Sequence, residues 1–347
     1  MNYQVKFTVV GQGLVGSLVA LQLLDSGADV QVIDRAPRRC ASWVSSGMID
    51  PISGQRFATT WNYHTHAPLA VATYKRLEDR FGIKILRESP IWRLFRDNQD
   101  RQTYQKKREK GALDGFIDSE FHDTHHRHIR SPFGGIQVRG GYIVDVEQLT
   151  RRLAIYFDTL GILQFGEVAN LTNSEQIIIH CTGAYAASTP LFSWLPFRNS
   201  RGECIRFTSN ELSLPGIINN GFWICPLGNG EFKAGATYSW EDLFSMPKAI
   251  EYHQVLDKLR TIIPSVPIHE LRVESGTRSI MEDTLPVVGC HPNYPNELIV
   301  SGVGSKGTLS APFLARQVQQ FLLNNAEIHP EISIQRFIKK YYFHGHY

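Results

Sequence analysis

Residues 5–34 read VKFTVVGQGLVGSLVALQLLDSGADVQVID, and the reading of this stretch decides the fold. Residues 5–10 are β-branched and apolar and stop at a glycine, as a short buried strand does. Gly11, Gly13 and Gly16 then open a helical pattern that runs to about residue 26, with Gly27 placed to end it in a left-handed conformation. Residues 29–33 form a second apolar strand, closed by Asp34. Strand, glycine turn, helix, strand and acid stand in the order that a dinucleotide-binding βαβ unit requires.

Each position has a physical reason. Gly11 allows the tight turn, Gly13 lets a pyrophosphate approach the backbone, and Gly16 lets the helix lie close to the sheet. The first helical residues, Leu14 and Val15, present N–H groups and the positive end of the helix dipole to phosphates. Asp34 lies 18 residues after Gly16, near the separation expected of an acid that bonds ribose hydroxyls. An acid there disfavours a 2′-phosphate, so the unit reads as an FAD or NAD site, with Arg35 beside it. The competing reading is a glycine-rich turn in some other α/β unit.

The rest of the chain bounds the answer. A length of 347 residues predicts about two domains. A composition 42% hydrophobic and 20% charged excludes a disordered or fibrous chain. Five cysteines, at 40, 181, 204, 225 and 290, form an odd set without a CxxC pair. That argues against a disulfide frame or structural zinc and fits a reducing, cytoplasmic compartment. The most apolar stretch, residues 7–24, is interrupted by glycine, glutamine and serine, so no membrane span is expected. Lys6 ahead of an apolar run has the look of a secretory leader, but the glycines fit the nucleotide turn better. The net charge of +3 is mild, yet residues 101–110 hold five basic side chains against Glu109. This run is ordinarily a solvated face. It leaves a phosphate-bearing or nucleic-acid partner open but disfavoured. His122, His125, His126 and His128 form a dense tract with only Asp123 as a carboxylate, and no metal is expected.

Beyond the βαβ unit, residues 41–51 (ASWVSSGMIDP) offer the small side chains and hydroxyls a backbone needs to pass close to a flat polar ring. In this stretch the chain resembles the FAD-dependent oxidoreductase family of D-amino acid oxidase, glycine oxidase and sarcosine oxidase. There a small-residue loop runs beneath the flavin, and Ser42, Ser46, Gly47 and Met48 occupy it here; Ser46 replaces a commoner alanine. Further matches follow in order. They are GYIVD at 141–145 with a helix at about 147–157, EVANL at 167–171 with Val168 at the adenine position, and IIIHCTGA at 177–184 with Thr182 and Gly183. Gly276, Arg278, Asp283, Leu285, Pro286 and Gly289 come next, and GVGSKGTLSAP at 302–312 is similar to the family's last flavin loop. GMIDP at 47–51 and GSKG at 304–307 resemble in particular the oxidase domain of the bifunctional enzyme that makes methylaminomethyl-uridine in tRNA. The methyltransferase half of that enzyme does not appear in this chain.

The resemblance implies an α/β fold: a Rossmann-like FAD-binding domain (GR2-type) with a discontinuous α+β substrate domain on a mostly antiparallel sheet. The FAD domain is expected from 1–84, 136–199 and 271–347, and the substrate domain from 85–135 and 200–270. It also implies non-covalent FAD, held further by Arg278, Gly304, Ser305, Lys306, Gly307 and Thr308. The activity implied is hydride transfer to flavin N5 from the C–H next to an amine, giving an imine that hydrolyses. The substrate is expected to be a small amine or amino acid, N-substituted forms included, with the electron acceptor undetermined. Arg278 is expected to ion-pair a substrate carboxylate, with Trp223 and Tyr238 as walls. Trp223 stands where relatives often have tyrosine, which disfavours a substrate as small as glycine. Three other readings remain: a 2-hydroxy-acid dehydrogenase, with His66 as proton acceptor; a tRNA-modifying oxidase; and a non-enzymatic dinucleotide-binding module.

Overall fold

The computed structural model describes residues 5–35, 40–122, 128–166, 176–247 and 249–343. Strand Lys6–Val10 lies between Asp29–Asp34 and Gln176–His180 and is parallel to both. The sheet runs Leu163–Phe165, Asp29–Asp34, Lys6–Val10, Gln176–His180, Tyr294–Ser301, Val287–His291, with the last pair antiparallel. Val9, Val32 and Ile179 are completely buried in its core, as a sheet covered on both faces demands. Helix Leu14–Leu24 packs on helix Gly307–Asn324, which also meets helix Tyr63–Phe81. The first helix ends at Leu24, capped by Asp25, slightly short of the expected end. Gly27 still takes a positive φ of 79° in the turn that follows.

A second sheet of eight strands runs His269–Arg278, Ser200–Thr208, Glu231–Gly235, Trp223–Gly228, Ile217–Asn219, Ile91–Leu94, Gly135–Val138, Ile117–Phe121. Its pairs are antiparallel except Ile217–Asn219 with Ile91–Leu94. Gly135–Val138 and His269–Arg278 belong to it, so its membership runs across the expected boundaries at 136 and 271.

The two faces of this sheet differ because side chains alternate along each strand. One face carries Ile205, Phe207, Ile224, Phe232 and Ala234, packed under Val255, Leu259 and Ile262 of helix Ala249–Ile262. Each of the larger of these side chains, fully buried, contributes about 1.5–3 kcal/mol. Cross-strand register builds the other face as a row: Glu274, Cys204, Gly235, Trp223, Asn219 and Arg93. That face is turned toward residues 41–44, because a Cβ at Gly276 would meet Ala41 and Val44. Lys233 confirms the approach by donating to the Trp43 carbonyl at 2.8 Å. The chain end is also docked, with Ile334 and Phe337 buried against Met281, Val287 and Ile299.

Candidate active site

The glycine turn has the geometry its spacing predicts. Gly11 takes φ 101°, and its N–H donates to the Ile33 carbonyl at 2.8 Å. A Cβ at Gly16 would run into the Gly11 carbonyl, so only glycine lets the helix seat there. The Asp34 carboxylate accepts from the Gln12 N–H at 2.5 Å and closes the turn. Leu14 N–H, at the helix start, donates to Ser42 Oγ at 3.0 Å, which ties the helix to the short helix Ala41–Val44. Gly13 caps that helix start, and Val15 is half-buried behind it. Arg35 is exposed, its guanidinium 5.5 Å from the Tyr185 ring.

Of the other residues expected on the nucleotide side, Thr182 lies beside this turn, its backbone N 3.3 Å from where a Gly11 Cβ would be. Gly47 takes φ 66°, and a Cβ there would collide with the Val144 carbonyl. Ser46 Oγ accepts from the Met48 N–H at 3.3 Å. Thr182 and Gly183 follow strand Gln176–His180. The Thr182 hydroxyl is buried with no hydrogen-bond partner among the described residues. Burial also pushes the neighbouring Cys181 thiol well above its ordinary pKa. Gly304 N–H donates to the Ser279 carbonyl at 2.7 Å, ahead of exposed Ser305. Lys306 caps helix Gly307–Asn324, and Thr308 in its first turn accepts from Tyr74 Oη at 2.7 Å. Burial lowers the Lys306 pKa, while the Asp50 carboxylate pulls the other way. Val168 lies outside the described residues. A side-chain-free cradle at Gly11, Gly13 and Gly16, beside an orphaned buried hydroxyl, fits a bound dinucleotide.

On the sheet side, Arg278 ends strand His269–Arg278 opposite Ser200. Its guanidinium lies over the Tyr238 ring at 4.4 Å and donates to Ser200 Oγ and the Thr237 carbonyl, both at 3.4 Å. A Cβ at Gly202 would overlap that guanidinium, so the glycine makes room for it. Trp223 sits on the same face, half-buried, next to Gly235 in register. His66 is placed elsewhere. It is 1% exposed, stacked 4.3 Å from the Phe313 ring and edge-on to Trp61. Burial, with His329 nearby, lowers its pKa to about 4. His64 stacks on Phe116. The basic run falls mainly on helix Asn98–Glu109, where Arg108 pairs with Glu120. Among the described residues no cluster of His, Cys, Asp or Glu has the makings of a metal site, while His125 and His126 lie outside them.

The structure also brings together buried charges that the sequence reading did not single out. Asp50, 2% exposed, accepts from the Asn219 amide at 3.3 Å and from the Ile52 N–H at 2.8 Å. Arg93 donates to the Ile52 and Gly54 carbonyls and lies over the Phe57 ring. Lys233, 4% exposed, pairs with Glu274 at 3.0 Å. The available signal was a lysine alternating with Phe232 and Ala234 on a strand, which places its charge opposite the apolar face.

Residues 6–320 match the family described as FAD dependent oxidoreductase. The chain belongs to this family. It is an enzyme, an FAD-dependent oxidoreductase, and FAD is its cofactor. Its fold is that of glycine oxidase from Geobacillus kaustophilus, with a TM-score of 0.82 at 19% identity, covering 96% of this chain and 99% of that one. The oxidoreductase is 23% identical over 357 residues to the oxidoreductase YurR of Bacillus subtilis (strain 168), covering 91% of this chain and 94% of that protein. It is 27% identical over 175 residues to a tRNA 5-methylaminomethyl-2-thiouridine biosynthesis bifunctional protein of Marinobacter nauticus. That match takes in 46% of the oxidoreductase and only 27% of the relative. Among the described residues no helix is long and apolar enough to cross a membrane.

Proposed function

We propose that the enzyme oxidises the C–N bond of an amino acid or N-substituted amino acid whose carboxylate is held by Arg278. One observation carries this reading. The Arg278 guanidinium is half-buried against Tyr238, with two long hydrogen bonds and no carboxylate partner among the described residues. A partly desolvated cation without an anion is costly, and a planar guanidinium is best matched by a two-pronged carboxylate.

The cofactor supplies a two-electron acceptor for the hydride on the carbon beside the nitrogen. The chain's own residues bind and orient. Gly11, Gly13, Leu14, Val15 and Gly16 would take the pyrophosphate and Asp34 the ribose. Ser42, Ser46, Gly47 and Met48 would line the flavin, with Thr182 supplying its free hydroxyl. The start of helix Gly307–Asn324, with Lys306, would offset negative charge on the ring system. Arg278 would orient the substrate and Trp223 wall it. An amine that binds neutral requires no obligate base, and the imine product hydrolyses in water. The two sheets, with their helices, would form a cofactor domain and a substrate domain, and five free thiols support a reducing compartment.

The 2-hydroxy-acid reading has less support, since its proton acceptor, His66, is packed between Trp61 and Phe313. The test is kinetic. Arg278→Ala should raise KM for carboxylated substrates roughly thirtyfold or more, the lower end of what losing a desolvated pair costs. An unchanged KM refutes the assignment.

A further inference from the structure

Among the described residues, five of the twelve exposed large apolar side chains fall between positions 238 and 250: Tyr238, Trp240, Phe244, Met246 and Ile250. Strand register sets two of them beside Arg278. Ser239 bridges Arg201 through two main-chain hydrogen bonds, of 2.8 and 2.9 Å. Arg201 in turn pairs with Thr277, and Ser200 with Arg278. Because side chains alternate along extended chain, Tyr238 and Trp240 fall on the face of Ser200 and Arg278. The Tyr238 ring accordingly lies against the guanidinium.

The segment is firmly held from the opposite face. Arg201, 1% exposed, is neutralised by Glu203 at 2.6 Å and by Glu251. It donates to the Asp242 carbonyl at 2.9 Å and to Ser245 Oγ. Thr277 Oγ1 donates to the Leu243 carbonyl. Phe244 stacks flat on Tyr185, with ring centres 4.2 Å apart and planes inclined by 12°. A buried ion network is expensive to desolvate. Here it anchors an apolar segment in water, the mark of a preformed binding wall.

We propose that Trp240, beside Tyr238, is a specificity-determining residue, and that the substrates are amino acids whose Cα or nitrogen carries a large apolar group. The inference rests on Arg278 as the carboxylate anchor. With the carboxylate there, the remainder of the substrate lies against Tyr238 and Trp240, where a benzyl-sized group covers rings that glycine leaves wet. A single methylene in a closed apolar pocket discriminates by roughly 10–200-fold, and a benzyl group against these more open rings is expected at the lower end of that range.

The experiment compares kcat/KM for D- and L-phenylalanine and N-benzylglycine with that for glycine and sarcosine, in the FAD-loaded wild type, Trp240→Ala and Trp240→Phe. The wild type should prefer the bulky substrates at least tenfold. Trp240→Ala should lose at least tenfold of that ratio through KM, and Trp240→Phe should keep most of it. The proposal is overturned if the wild type prefers glycine, if no bulky amino acid is oxidised, or if Trp240→Ala retains both its flavin and the wild-type ratio. It is also overturned if the patch proves to be a self-association surface, with a dimer that Trp240→Ala dissociates and an unaltered ratio. Failure of the underlying Arg278 reading would look different: the wild type would oxidise benzylamine as readily as N-benzylglycine.

Discussion

The mostly parallel sheet around Lys6–Val10 and the eight-stranded sheet around Ser200–Thr208 both carry buried strands, but they use burial differently. In the first, Val9, Val32 and Ile179 are fully enclosed, and the proposed cofactor contacts fall on the turns at the strand ends. In the second, one face is an ordinary apolar layer under helix Ala249–Ile262, while the other carries Arg278, Lys233, Glu274, Asn219 and Arg93. A site placed on turns needs glycines and free N–H groups. On the sheet face Lys233 meets Glu274 from another strand, while Arg278 has no carboxylate partner among the described residues.

Substitutions break the two regions in different ways. The largest effect is expected from Gly16→Val in the turn. Its side chain would enter the space of the Gly11 carbonyl, so the helix cannot seat. The purified variant should be insoluble or colourless, and normal flavin absorbance would contradict the geometry. On the sheet face, Lys233→Met leaves Glu274 with only the exposed Arg272, 3.8 Å away, and should cost about 3 kcal/mol, read as a lower denaturation midpoint. The double variant Lys233→Met with Glu274→Gln should recover much of that loss, and no recovery would mean the pair does not act as a unit. The smallest effect is expected from Thr182→Val. Its hydroxyl has no described protein partner, so the stability of the apoprotein should hold while FAD affinity falls by about 1 kcal/mol, roughly fivefold. Unchanged affinity would remove that hydroxyl from the cofactor site.

The same contrast explains what was legible in the sequence. The βαβ unit could be read because its logic is local: apolar strands, glycines at fixed spacing, and Asp34 at the end of the second strand. Arg278 and Trp223 became candidates through the motifs around them. The partnerships of Asp50 with Asn219 and of Lys233 with Glu274 and Trp43 were not found, because they depend on register between segments far apart in the chain. The exposed segment around Trp240 was not singled out, for a related reason. Its neighbour Tyr238 was a candidate, but the frame that fixes the segment joins Arg201 and Glu203 on one strand to Glu251 on helix Ala249–Ile262, some 50 residues away.

The central claim is that carboxylate recognition at Arg278 delivers an amine carbon to the flavin. The most direct measurement is anaerobic flavin bleaching by N-benzylglycine and by benzylamine, a pair differing by the carboxymethyl group, in the wild type and Arg278→Ala. The account predicts fast bleaching only by the carboxylated partner in the wild type, and loss of that preference in the variant. Equal bleaching by both amines in the wild type, or an undiminished preference in Arg278→Ala, would contradict it.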